Sequence, residues 1–108
     1  MKRSNRGFML ATVLALAVSA VAQDTGAELY KTNCQPCHGE AGDGKTPAAK
    51  LYKIPSLLTP ELDKKTDAEL VEFAKKGKGD MPSWSETLSD HQIQDVITYI
   101  RNLKKKSE

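Results

Sequence analysis

From Ile93 the chain repeats apolar residues at Ile93, Val96, Ile97, Ile100 and Leu103, with polar residues filling most of the gaps. That is the i, i+3, i+4, i+7 spacing of one face of an amphipathic helix. Ser89-x-x-Gln92, just ahead of it, has the form of a capping box. Behind it, Lys104-Lys105-Lys106 places exposed cations at the negative end of the helix dipole. This is the clearest helix of the chain. A second box, Thr66-x-x-Glu69, opens a helix with Leu70, Phe73 and Ala74 turned inward and a stop at Gly77. A third, Thr25-x-x-Glu28, opens one that runs through Leu29 and Tyr30 to about Asn33. Thr59-Pro60 suits the start of a short helical turn. Between Gly39 and Leu58 the glycines and prolines (Gly39, Gly42, Gly44, Pro47, Pro55) predict loop and turns. No run alternates with period two, so the expected fold class is all-α, without repeats or a second domain.

Residues 1–22 have a different character. Lys2, Arg3 and Arg6 precede an apolar run from Phe8 to Val18, no acid occurs, and Ala20-Val21-Ala22 is an A-x-A cleavage pattern. The run is shorter than the roughly 20 residues that span a bilayer. Arg3 and Arg6 are not adjacent, so a Sec-type signal peptide is expected and a twin-arginine signal is not. A retained anchor would have almost no tether, because the first helix cap begins by Asp24 or Thr25. Cleavage after Ala22 leaves residues 23–108, one small periplasmic domain of 86 residues. Removing the three leader cations from sixteen leaves thirteen against fourteen acids, a net charge of −1. That near-balance argues against nucleic acid as a partner. A domain this small usually needs a staple for its core.

The candidate chemistry lies in Cys34-Gln35-Pro36-Cys37-His38, which contains both cysteines and one of the two histidines of the chain. Two thiols three residues apart share one face of a helical turn. There they can form thioethers with the two vinyl groups of one porphyrin, with the next imidazole bound to the iron. C-x-x-C-H is accordingly the attachment pattern for c-type haem. A thioredoxin-like dithiol would want a βαβ pattern around it, which is missing. Structural zinc needs four ligands, so distant His91 would have to join His38 and both thiols. A plain disulfide would leave His38 without a role. Haem attachment outside the cytoplasm also agrees with the leader.

The iron's sixth position then needs a donor. Met81 is the one methionine after the leader, in the loop Gly77-Lys78-Gly79-Asp80-Met81-Pro82-Ser83-Trp84. Alone it could be a core gap-filler. Beside a haem, its thioether is a good soft ligand, with Pro82 fixing φ after it and Gly77 and Gly79 allowing close approach to the porphyrin. His91 is the rival, but it sits in a capping turn that normally faces solvent.

Residues 24 to 105 resemble a class I c-type cytochrome of the small bacterial kind. Cys34-x-x-Cys37-His38-Gly39 is similar to the family's haem-binding run, Met81-Pro82 to its axial-methionine loop, and Leu88-Ser89-Asp90 to the start of its last helix. Gly26 and Tyr30, with Tyr99 and Leu103, resemble the family's contact between its first and last helices. The resemblance implies three to four helices wrapped around one covalently attached haem c. It makes Cys34, Cys37, His38 and Met81 the cofactor-binding residues, and His38 and Met81 the iron ligands. Pro47, with Pro55 as competitor, would supply the carbonyl that accepts a bond from the proximal histidine. Trp84 would be either a haem contact or an ordinary core aromatic. The implied function is soluble periplasmic electron transfer by a non-enzymatic monomer, with redox proteins or membrane redox complexes as donor and acceptor. An electron-transfer subunit of a larger complex, or a haem peroxidase or sensor, are the alternatives. Lys75, Lys76 and Lys78, just before the Met81 loop, would either steer an acidic partner or simply form a solvated helix end.

Overall fold

The computed structural model describes residues 23–108 and, ahead of them, Gly7 and residues 11–14. The assignment of 1–22 as a leader otherwise lies outside the described residues. No helix among the described residues is long and apolar enough to cross a membrane.

Six helical segments follow one another: α1 (Gly26–Asn33), α2 (Gln35–His38), α3 (Pro47–Tyr52), α4 (Pro60–Asp63), α5 (Asp67–Lys76) and α6 (Asp90–Ser107). No strand occurs among the described residues; one isolated antiparallel bridge pairs Lys78 with Met81. The fold is all-α, as the pattern predicts. Of the six segments, α1, α5 and α6 are eight residues or longer and carry the packing. The Thr25–Glu28 and Ser89–Gln92 boxes are closed in both directions. The Thr66 box is one-sided: its hydroxyl accepts from the Glu69 amide at 3.1 Å without the return bond.

The α6 stripe does what its spacing predicts. Ile93, Val96, Ile97 and Ile100 are buried and meet Leu29 and Tyr30 of α1 and Leu88 from the preceding turn. Burying each such aliphatic side chain stabilises the fold by about 1.5–3 kcal/mol. α1 crosses α6 where Gly26 has no side chain: a Cβ there would lie 2.9 Å from the Asp95 carbonyl carbon and closer still to its oxygen. Next to that crossing the Tyr30 and Tyr99 rings are 5.2 Å apart, centroid to centroid, in a tilted pair.

α5 lies on another side of α6. Arg101 donates to the Asp67 carboxylate at 2.6 Å and to the Lys65 carbonyl at 2.7 Å, and Gln94 reaches Asp67 at 3.2 Å.

Three local expectations are corrected. The stretch read as loop between Gly39 and Leu58 contains α3, capped by Thr46, whose hydroxyl accepts from the Ala49 amide at 2.9 Å, with Pro47 as its first residue. Lys104 is not exposed: it is 8% accessible, with its ammonium 2.6 Å from Asp63 and 3.0 Å from Glu108. Its carbon stem lies against the core while its charge is met by two carboxylates. Phe73 is half-exposed rather than buried, and it stands on the wall of the cleft described next.

Candidate functional site

The end of α1 runs directly into α2. Cys34 closes the first helix, donating its amide to the Tyr30 carbonyl at 2.8 Å, and its own carbonyl accepts from Cys37 at 3.2 Å and His38 at 2.9 Å. Pro36, which has no N–H to lose, sits in the first turn of α2. Both thiols and the imidazole therefore belong to one tight turn. Gly39, at φ +89°, ends it, and only a residue without Cβ takes that conformation cheaply. The turn is held from outside as well. Tyr30 donates to the Gly39 carbonyl at 2.6 Å, Thr46 to the Cys37 carbonyl at 2.7 Å, and the Gly44 amide to the His38 carbonyl at 2.9 Å. The Thr46 bond was not foreseen; the Thr-Pro pair that caps α3 was the signal for it.

Both cysteines are free thiols and half-buried. Burial, and then the neighbouring Cys37, push the Cys34 thiol up to about 11. Burial lowers the His38 pKa, so the imidazole is held neutral, with a lone pair available for coordination. His38 Nδ1 is buried and has no hydrogen-bond partner among the described residues. The expected bond to the Pro47 carbonyl is thus absent, and Pro47 instead begins α3. The backbone of the competitor Pro55 packs on Gly44, the residue bonded to the His38 carbonyl: a Cβ on Gly44 would be 3.5 Å from the Pro55 carbonyl carbon.

His38 and Cys34 open onto one cleft. Leu62, Leu70 and Phe73 line it on one side and Ile93, Val96 and Ile100 of α6 on another. Met81 and Trp84 join the same lining from the loop after α5. Apart from the imidazole and the Cys34 thiol, the walls are apolar or aromatic, as in binding sites for flat organic cofactors. His91 stands outside: its side chain is 80% accessible and 3.6 Å from Asp95 on the outer face of α6. A zinc site has no ligand set here, since no three His, Cys, Asp or Glu residues gather among the described residues.

The donor set on the apolar cleft is therefore one half-buried imidazole, one thioether and the Cys34 thiol; Cys37, in the same tight turn, is not part of the lining. Together these groups fit an iron porphyrin, with thiols for the vinyl groups and nitrogen and sulfur for the metal.

The lysines before the Met81 loop are less free than their spacing suggests. Lys75 is 3.2 Å from Asp90 and 3.4 Å from Glu72, and Lys76 is 3.9 Å from Glu72, whereas Lys78 is exposed. The bond to Asp90, ahead of the nearby charges, raises the Lys75 pKa.

Comparison with known proteins gives a consistent picture. The family described as cytochrome c oxidase, cbb3-type, subunit III, matches residues 21–100. Cytochrome c6 of Bryopsis maxima is 32% identical over 71% of this chain and 86% of its own length. Cytochrome c6 of Leptolyngbya boryana is 36% identical over 69% of this chain and 85% of its own. The cbb3-type cytochrome c oxidase subunit CcoP of Azospirillum brasilense is 34% identical over 81% of this chain, which spans only 30% of that larger protein. The solved structure of the KustC0563 c-type cytochrome superposes with a TM-score of 0.68 over 75% of this chain and 99% of that one, at 23% identity. At that identity the likeness shows the fold.

Proposed function

The chain belongs to the class I c-type cytochromes, whose cofactor is haem c with its iron, and from that premise we propose that it is a periplasmic one-electron carrier. In this proposal residues 1–22 direct export and residues 23–108 form the carrier domain. Cys34 and Cys37 would hold the porphyrin, and His38 and Met81 would ligate the iron. The observation that carries it is the shared lining: His38 and Met81 reach one apolar cleft, and His91 does not. When bound, the haem supplies one-electron exchange between ferrous and ferric iron.

The protein's own residues support that use. Burial lowers the His38 pKa, which favours the neutral imidazole and its free lone pair. Met81 contributes a soft sulfur, which favours the reduced metal and raises its potential. Leu70, Ile93, Val96 and Ile100 keep water from the cleft. Trp84, half-buried on the lining, supports the haem-contact role more than that of a core aromatic remote from the site. With His38 and Met81 both given to the iron, a bound haem would offer substrate no free place on the metal. Beyond His38 and Cys34 the lining offers no acid or base to move protons, which weighs against a peroxidase.

A second role, as the electron-transfer part of an oxidase, is favoured by the match to the cbb3-type subunit family and to CcoP. The match to cytochrome c6 over 86% of its own length, against 30% for CcoP, supports the free carrier. Absorption spectra of the purified protein with and without reductant, followed by carbon monoxide, test the proposal. A reversible c-type spectrum indifferent to carbon monoxide is expected; ready binding to the ferrous form would indicate an open iron and refute the carrier. Recovery as an oxidase complex after mild detergent extraction would select the second role.

A further inference from the structure

The loop that carries Met81 is built against the end of α5 rather than left free. Lys78 and Met81 exchange both backbone bonds at 3.0 Å, closing a tight turn through Gly79 and Asp80. Two carbonyls near the end of α5, which have no partner inside the helix, are then taken by the residues that follow Met81. The Ser83 hydroxyl donates to the Lys75 carbonyl, and the Trp84 amide donates to the Ala74 carbonyl at 3.1 Å. Gly77 stands between these contacts at φ +69°, and its bare Cα faces the Met81–Pro82 peptide. A Cβ on Gly77 would lie 2.5 Å from the Met81 carbonyl oxygen and 2.6 Å from the Pro82 carbonyl carbon.

Gly79 makes an instructive contrast. Its φ is +58°, so a side chain would be strained there too, yet a Cβ would meet nothing within 4 Å. Both glycines have positive φ, but Gly77, at ψ 178°, lies in a region that only glycine takes readily, and only Gly77 touches the backbone of Met81 and Pro82. Besides the room for the porphyrin expected of both, Gly77 thus meets a second demand, close contact with the loop backbone.

We infer that Gly77 and Ser83 are positioning residues for the Met81 thioether: they set its place from behind and so decide how firmly it holds the sixth position. The inference rests on the proposed ligation by Met81. Backbone cannot yield to a new Cβ as the end of a flexible side chain can, so a side chain at Gly77 displaces the Met81–Pro82 peptide. Loss of the Ser83 hydroxyl frees one end of the loop and leaves the rest in place.

The test is the affinity of the ferric, haem-loaded protein for imidazole, read as a Soret shift, with midpoint potential as the second readout. Met81→Ala is the reference for an undefended position. Gly77→Ala should bind imidazole about tenfold or more tightly than wild type, while Gly79→Ala, also at positive φ but in open space, stays within about twofold. Ser83→Ala should tighten imidazole binding about threefold, with a lowered potential, and Ser83→Thr should restore wild-type values, since it keeps the hydroxyl. Equal affinities in Gly77→Ala and Gly79→Ala would overturn the role of Gly77. Wild-type behaviour in Ser83→Ala would overturn that of Ser83, and the Ser83 pair decides alone if Gly77→Ala yields no folded holoprotein. If Met81→Ala itself leaves imidazole affinity unchanged, the ligand assignment fails; if it opens the site while Gly77→Ala matches Gly79→Ala and Ser83→Ala matches wild type, only the positioning inference fails.

Discussion

Tyr30, fully buried, donates its phenolic proton to the carbonyl oxygen of Gly39 at 2.6 Å and so ties the first helix to the residue after His38. Burial, ahead of the nearby Cys34, Tyr99 and Asp43 groups, raises the Tyr30 pKa, so the phenol stays a donor well into alkaline solution. Tyr30→Phe keeps the ring and removes the donor, leaving the buried Gly39 without this bond. The expected cost is about 1–3 kcal/mol, seen as a lower urea midpoint at unchanged slope. An unaltered midpoint would mean that this bond contributes nothing to stability.

Gly26→Ala sets two effects against each other. Alanine favours helix over glycine by up to about 1 kcal/mol. The added methyl would overlap the Asp95 backbone, and overpacking of this kind costs about 1–3 kcal/mol. Because α1 cannot retreat without losing the burial of Leu29 and Tyr30, overlap should win and the variant should melt below wild type. A higher melting temperature would show that the crossing is looser than its geometry.

Asp67 and Lys104 give the stability profile opposite limbs. The Arg101 bond, then the Gln94 bond, hold the Asp67 carboxyl below its usual range. A depressed carboxylate stabilises the fold above its unfolded pKa and loses that contribution as pH falls through the folded value. Lys104 is raised by its bond to Asp63, then by that to Glu108. Its contribution is complete below the unfolded pKa and is lost as pH climbs through the raised one. Urea midpoints across pH should therefore fall below about pH 4 and again above about pH 10.5. Asp67→Asn should flatten the acid limb alone, and Lys104→Met the alkaline limb alone. Unchanged limbs in these variants would show that other groups control them.

What could be read from the residues was what neighbours in sequence decide. The Cys34–His38 run, the Ser89 cap and the α6 stripe are local patterns, and each places its side chains by helix geometry alone. α3 escaped because six residues are too few to display a period. Its one signal, Thr46-Pro47, has the same form as Thr59-Pro60, which was read as a helical start. Lys104 was missed because a run of three lysines looks solvated until α4 brings Asp63 beside it. The contact of Gly77 with Met81 and Pro82 depends on how the chain turns back, which glycine spacing does not encode. The proline carbonyl expected for His38 is a similar case: Nδ1 is left without a partner, and which backbone turns toward it depends on the fold of the Gly39–Leu58 stretch rather than on spacing.

The central claim is that His38 and Met81 together hold the iron, and the midpoint potential of the haem-loaded protein tests it most directly. Met81→Ala and His91→Ala should be titrated beside wild type in one buffer. The potential should fall clearly in Met81→Ala, because the thioether that favours ferrous iron is gone, and stay unchanged in His91→Ala, whose ring lies in solvent. A wild-type potential in Met81→Ala together with a shifted one in His91→Ala would contradict it.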